Sequence, residues 1–135
     1  MSGHRLVRAV LLSTLLLTLT FLSIDNLPRS ALAFSRESSI TLQSGENYLI
    51  SAVINPSGEY AYFGTSTTPG IAVRIRLSDF TRVDALTFQS GESHVTSAAI
   101  DPSGQYAYFG TYTSPGIVVK VRLSDFTRVG ALTLN

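Results

Sequence analysis

From residue 51 onward the apolar and polar positions follow a two-residue rhythm broken by turns. Ile71, Val73, Ile75 and Leu77 fall on one face of an extended segment and Ala72, Arg74 and Arg76 on the other, which is the alternation of a half-buried strand. Residues 60–65, Tyr-Ala-Tyr-Phe-Gly-Thr, are aromatic or apolar on both faces and predict a strand covered from both sides. Residues 51–54 predict a short strand closed by Asn55-Pro56-Ser57-Gly58, an order suited to a type I turn. Pro69-Gly70 suits the centre of a type II turn, with Gly70 supplying a positive φ. After the turn Ser78-Asp79-Phe80, a fourth strand is expected from about residue 82 to 88. No segment after residue 33 shows a convincing 3.6-residue period, so this part of the chain is predicted to be all-β.

The same four-strand pattern occurs twice. Residues 44–89 laid on residues 90–135 give 31 identities in 46 positions, including Tyr60–Thr65 on Tyr106–Thr111 and Arg76–Val83 on Arg122–Val129. Four antiparallel strands in a repeat of this length, with a two-sided apolar strand inside it, are the unit of a β-propeller blade. Small residues on the first strand (Ser51, Ala52, Ser97, Ala98, Ala99) suit the crowded position beside a central axis. Ile100-Asp101-Pro102-Ser103-Gly104-Gln105-Tyr106-Ala107-Tyr108-Phe109-Gly110-Thr111, followed by Gly116-Ile117-Val118-Val119-Lys120-Val121, resembles the YVTN-type propeller repeat. The resemblance covers roughly residues 44–135. It departs from the family pattern at Thr65 and Thr111, where that family's strand usually ends in Asn. The repeats lack the Gly-His and Trp-Asp pairs of WD40 repeats and the Gly-Gly doublet of kelch repeats.

The expected organisation is a leader over 1–33, an orphan outer strand and linker over 34–47, one blade over 48–89 and a second over 90–135. Residues 39–46 match residues 85–92, so a lone fourth strand is expected to precede the first blade. Closed propellers take four to eight blades, and the sequence carries two, an incomplete propeller. Two expectations follow. The chain is the front of a longer protein whose C-terminal blades complete it, or identical chains assemble a ring of three or four, each lending its orphan strand to a neighbour.

The first 33 residues differ from the rest. His4, Arg5 and Arg8 make a basic head, residues 9–24 are apolar or Ser/Thr, and Ala31-Leu32-Ala33 precedes Phe34 as a small-x-small cleavage site. This is the grammar of a helical signal peptide, predicting cleavage after Ala33 and a secreted or extracytoplasmic location. An uncleaved anchor is the alternative and the one expected route to a membrane. Sixteen helical residues rise about 24 Å, short of the roughly 30 Å hydrocarbon core.

Charge narrows the function classes. Ten Lys and Arg stand against nine Asp and Glu, too balanced to favour nucleic acid or an anionic surface. Without its leader the chain holds seven cations and eight anions. The absence of cysteine excludes disulfides, thiolate metal sites and CxxC redox chemistry. No HExxH, GxSxG, P-loop or GxGxxG pattern occurs. His94 is the one histidine after the leader, and Ser78-Asp79 and Ser124-Asp125 read as turn-fixing pairs. No catalytic, metal or cofactor site is therefore expected.

The remaining candidates are binding residues. Arg74, Arg76 and Arg82 recur as Lys120, Arg122 and Arg128, readable as a basic stripe for a polyanion or as a row balanced by Asp79, Asp84 and Asp125. The interblade linkers and the loops after each second strand are expected on one rim, which marks Glu46, Tyr48, Glu92, His94 and Tyr112. Tyr48/His94 and Ser66/Tyr112 are rim positions at which the repeats differ. The expected function is a non-catalytic binding or scaffold module for a protein or glycan. The alternative is part of a secreted propeller enzyme, since similar propellers include lactone hydrolases and quinoprotein-type dehydrogenase subunits.

Overall fold

The computed structural model describes residues 36–135; the expected leader, with Ala31, Ala33 and Phe34, lies outside the described residues. Within the compact unit Ser38–Asn135, eight strands form two antiparallel sheets. The first contains β1 (Leu49–Ile54), β2 (Tyr60–Thr65), β3 (Ile71–Arg76) and β4 (Thr81–Thr87), hydrogen-bonded in chain order. The second repeats it with β5 (Val95–Ile100), β6 (Tyr106–Thr111), β7 (Ile117–Arg122) and β8 (Thr127–Thr133). Each strand lies within a residue or two of its expected position. The lone strand expected over 34–47 is not seen: among the described residues, 36–43 belong to neither sheet.

The turns that close each meander follow from their residues. The Asn55 carboxamide oxygen accepts from the backbone N–H groups of Glu59 and Tyr60, both at 3.0 Å, while Gly58 N–H reaches Asn55 O at 2.9 Å. Asp101 does the same for Gln105 and Tyr106. Gly58 and Gly104 both take φ of 70°, a conformation that glycine adopts without a Cβ penalty.

The expected type II turn at Pro69-Gly70 is a correction. Thr68-Pro69 and Ser114-Pro115 are cis, and Gly70 is not among the positive-φ glycines. Gly70 is required for close approach: a Cβ there would stand 2.6 Å from Val95 Cγ2 and 3.0 Å from the Glu92 carbonyl oxygen.

The core lies between the two sheets. Val53, Tyr62, Ala72 and Leu86 on one face of the first sheet meet Ala98, Phe109, Val119 and Val121 of the second, with Phe88 and Val95 closing the sides. Phe88 and Phe109 pack with ring centroids 5.7 Å apart, as do Tyr62 and Phe126. Phe126 holds a left-handed φ of 52°, which costs on the order of 1 kcal/mol but carries its ring into this contact. Burying a phenylalanine offsets that several times over, since Phe→Ala in a core costs about 3–5 kcal/mol.

Candidate functional site

The rim expectation places linkers and loops side by side, and the backbone does so. Ser66 N–H donates to Tyr48 O at 2.8 Å, His94 N–H to Thr67 O at 3.1 Å, and Tyr112 N–H to His94 O at 2.8 Å. The His94 imidazole pairs Nδ1 with Ser66 Oγ at 3.0 Å. Tyr48, Ser66, His94 and Tyr112 therefore follow one another along one end of the unit. Tyr48 and Tyr112 are 76% and 78% exposed, which makes them the outward-facing members of the row. Tyr48 and His94 share a φ of 54°, unusual for bulky residues.

Glu46 and Glu92 lie inside rather than on the rim surface, at 7% and 4% exposure. Each carboxylate accepts the backbone N–H three residues earlier, Gln43 and Gln89, at 3.0 and 2.9 Å. Each also takes the guanidinium of an arginine 36 residues later. Arg82 Nε lies 2.8 Å from Glu46 Oε2, and Arg128 Nη2 lies 2.5 Å from Glu92 Oε1. The arginine hydrogen bonds dominate at Glu46 and hold its pKa below the usual carboxylate range against burial. At Glu92 burial pushes upward most strongly, but Arg128 and the Gln89 N–H together still bring the pKa below its ordinary value. These carboxylates lock the linkers onto the fourth strands. The signal for this was in the sequence: Glu and Arg recur together at the same separation in both repeats.

The six-cation stripe is not one surface. The β3–β4 ladder shifts between Arg74 and Ile75, pairing Arg74 with Asp84 but Ile75 with Arg82. That bulge carries Arg82 to the opposite face from Arg74 and Arg76, since a residue inserted in one strand reverses the alternation beyond it. The same shift in the β7–β8 ladder separates Arg128 from Lys120 and Arg122.

The cations that remain on the stripe face have partners too. Arg74 binds Asp84 through two bonds of 3.0 and 2.7 Å, and its guanidinium carbon lies 4.9 Å from the Phe126 ring centre. Arg76 pairs with Asp79 and Arg122 with Asp125, holding both carboxyl groups down at about 2. Lys120 Nζ sits 3.9 Å over the Tyr106 ring, a cation–π contact.

Among the described residues, no group of three or more His, Asp or Glu side chains gathers to hold a metal ion. At the end opposite the rim, a cleft of about 330 Å³ opens between the sheets, lined by Asn55, Tyr60, Gln105, Tyr106, Arg122 and Ser124. Its titratable lining is three tyrosine phenols, Tyr60, Tyr62 and Tyr106, and a guanidinium already bound to Asp125.

No protein-family model matches the sequence, and a search of the curated proteins finds no match. Solved structures do match. The WD40 repeats of RRP9 align with a TM-score of 0.59 at 13% identity, over 70% of this chain and 28% of that one. The fold is a pair of β-propeller blades. The β-propeller domain of Cps50 (Swd1) from Myceliophteria thermophila matches these blades with a TM-score of 0.57 at 19% identity, over 73% and 29% of the two chains. Hydrazine synthase from Kuenenia stuttgartiensis matches at 0.56 and 12% identity, over 63% and 23%. The chain thus spans under a third of the length of each structure it resembles. These matches, WD40 repeats among them, share the propeller fold and do not single out the YVTN type. The WD40 signature dipeptides are dispensable for the shape, because strand order and inter-sheet packing define the blade.

Proposed function

We propose that the chain is an exported, non-catalytic β-propeller module that binds protein segments across its rim. The observation that carries this reading is the row Tyr48, Ser66, His94 and Tyr112. It joins two exposed tyrosines through a hydrogen-bonded Ser–His pair at positions where the two repeats differ. Tyrosine offers a large apolar contact with a polar tip at small entropic cost, and it is enriched in binding hot spots. The carboxylates that an enzyme would require at the rim, Glu46 and Glu92, are committed to Arg82 and Arg128. This supports binding over a lactonase-like or dehydrogenase activity.

The full chain, expressed with its leader and recovered outside the cytoplasm with Phe34 as its first residue, is panned against a phage-displayed peptide library. Enrichment of a common motif is expected, with the corresponding synthetic peptide bound at least tenfold more weakly by Tyr48→Ser and Tyr112→Ser. Equal binding by both variants removes the rim from the reading. Selective retention on a glycan array with no peptide enrichment replaces the protein partner by a sugar. Turnover of a lactone panel that is lost in His94→Ala overturns the non-catalytic reading.

A further inference from the structure

The two blades form one well-packed joint with each other and leave its two halves incompletely covered on their outer faces: on the first sheet Ile40 and Leu42 lie against the groove and Val73 and Ile75 are buried, while Leu49 and Phe80 stay exposed. Phe126 is 5% exposed where it packs on Tyr62 and Arg74, while its repeat counterpart Phe80 is 41% exposed on the outer side of the first sheet. Val95 is fully buried against Gly64 and Gly70, while its counterpart Leu49 is 43% exposed. The counterparts of the receiving residues stand open on the outer side of the second sheet. There Tyr108, Val118, Lys120 and Leu132 line a groove of about 310 Å³. Leu49, Phe63, Ile75 and Phe80, together with Ile40 and Leu42 of the segment that precedes the sheet, line one of about 330 Å³ on the first sheet.

We infer that these two faces are the halves of a joint between copies of the chain: a second copy docks head to tail, its second sheet against the first sheet of the next. The argument is the intrachain joint itself, whose aromatic and glycine positions recur at an offset of 46, with Lys120 in place of Arg74 and Leu49 in place of Val95. Tyr62 with Arg74 receives Phe126, so Tyr108 with Lys120 receives Phe80 of the neighbouring copy. Gly64 and Gly70 make room for Val95, where an added Cβ would stand 2.5 and 2.6 Å from its methyl carbons. Gly116 has nothing nearer than Leu134 Cδ1 at 3.7 Å, leaving room for Leu49 of the neighbour. Ser51 Oγ donates to Val95 O at 2.8 Å, and Ser97 Oγ is placed to donate to Leu49 O across the copies.

One position is claimed twice at such a joint. Ile40 and Leu42 of one copy and Leu132 and Leu134 of the other are repeat counterparts. The end of β8 yields, since Leu132 and Leu134 are the more exposed pair. A head-to-tail contact of this kind closes into a ring when its rotation divides a full turn. The inference uses the sheet faces and is independent of the rim reading.

The test is the mass of the purified full chain by sedimentation and native mass spectrometry, with one block on each face. Phe80→Asp charges the first-sheet face at a left-handed residue where Asp is better tolerated than Phe. Ala99→Asp charges the second-sheet face at the exposed counterpart of Val53. The expected result is a discrete multiple of the chain for the natural sequence, monomers for each variant alone, and a one-to-one dimer when the variants are mixed. That dimer joins the two unblocked faces and shows that both variants are folded. A natural chain that stays monomeric throughout its accessible concentration range overturns the inference and leaves the faces to a different occupant, such as a further repeat. Multiples that persist in either variant, or mixed variants that stay monomeric, overturn it as well.

Discussion

The Glu92–Arg128 pair offers a quantitative test of how the linker is held. Arg128→Met leaves a carboxylate that is 5% exposed on its side chain with the Gln89 N–H as its remaining donor. Orphaning a buried charge costs about 3–5 kcal/mol. The carboxylate can escape this penalty by taking up a proton, which bounds the cost. From the ordinary value of 4.5, protonation at pH 7 costs about 3.4 kcal/mol at 1.36 kcal/mol per unit.

The expected loss for Arg128→Met is therefore about 3 kcal/mol at pH 7, shrinking as the pH falls toward 4.5. Glu92→Gln behaves differently, because the amide oxygen still accepts from Gln89 and Arg128, 23% exposed, turns to water. Its expected cost is about 1 kcal/mol, the worth of an ordinary hydrogen bond. Adding Glu92→Gln to Arg128→Met should then raise stability, since no buried charge is left. The assay is urea unfolding followed by circular dichroism at one fixed protein concentration, because any self-association ties stability to concentration. Arg128→Met within 0.5 kcal/mol of the natural chain, or a double variant no more stable than Arg128→Met, refutes the reasoning.

Acid should unfold the protein in a defined window. Glu46, Glu92, Asp79 and Asp125 all have lowered pKa values, the two aspartates down to about 2. The folded state therefore binds fewer protons than the unfolded one, and its stability is present above the ordinary carboxylate range and lost as pH falls through the folded values. A stability that is flat from pH 8 to about 5 and declines between about 4.5 and 2 is expected in urea titrations; a loss beginning above pH 6 contradicts it. Gly70→Ala forces Val95 and the Glu92 carbonyl aside and should cost about 1–3 kcal/mol as overpacking. A neutral or stabilising result by the same unfolding assay would mean that the joint between blades is loose.

The strands and their order were legible because alternation and turn chemistry are local. Asn55 and Asp101 open their turns by hydrogen bonds that span a few residues, so the residue types announce the geometry. The 46-residue repeat then supplied the blade. What lies across the repeats was not legible in the same way. The type II reading of Pro69-Gly70 failed because that glycine is selected by a neighbour 25 residues away, Val95, and not by its own φ. The basic stripe failed because alternation assigns faces only until a bulge intervenes, and the extra residue at Val83 sends Arg82 to Glu46.

The sequence by itself determined the all-β architecture of the repeats and the two blades. These depend on periodicity and on the likeness between repeats. Only the tertiary structure decided that Glu46 and Glu92 are internal latches, that the cations are paired, and that Tyr62 is buried while its twin Tyr108 is partly open. Identical residues take different environments here because burial is a property of what packs against a face, and a repeat placed at the edge of a stack has a neighbour on one side fewer.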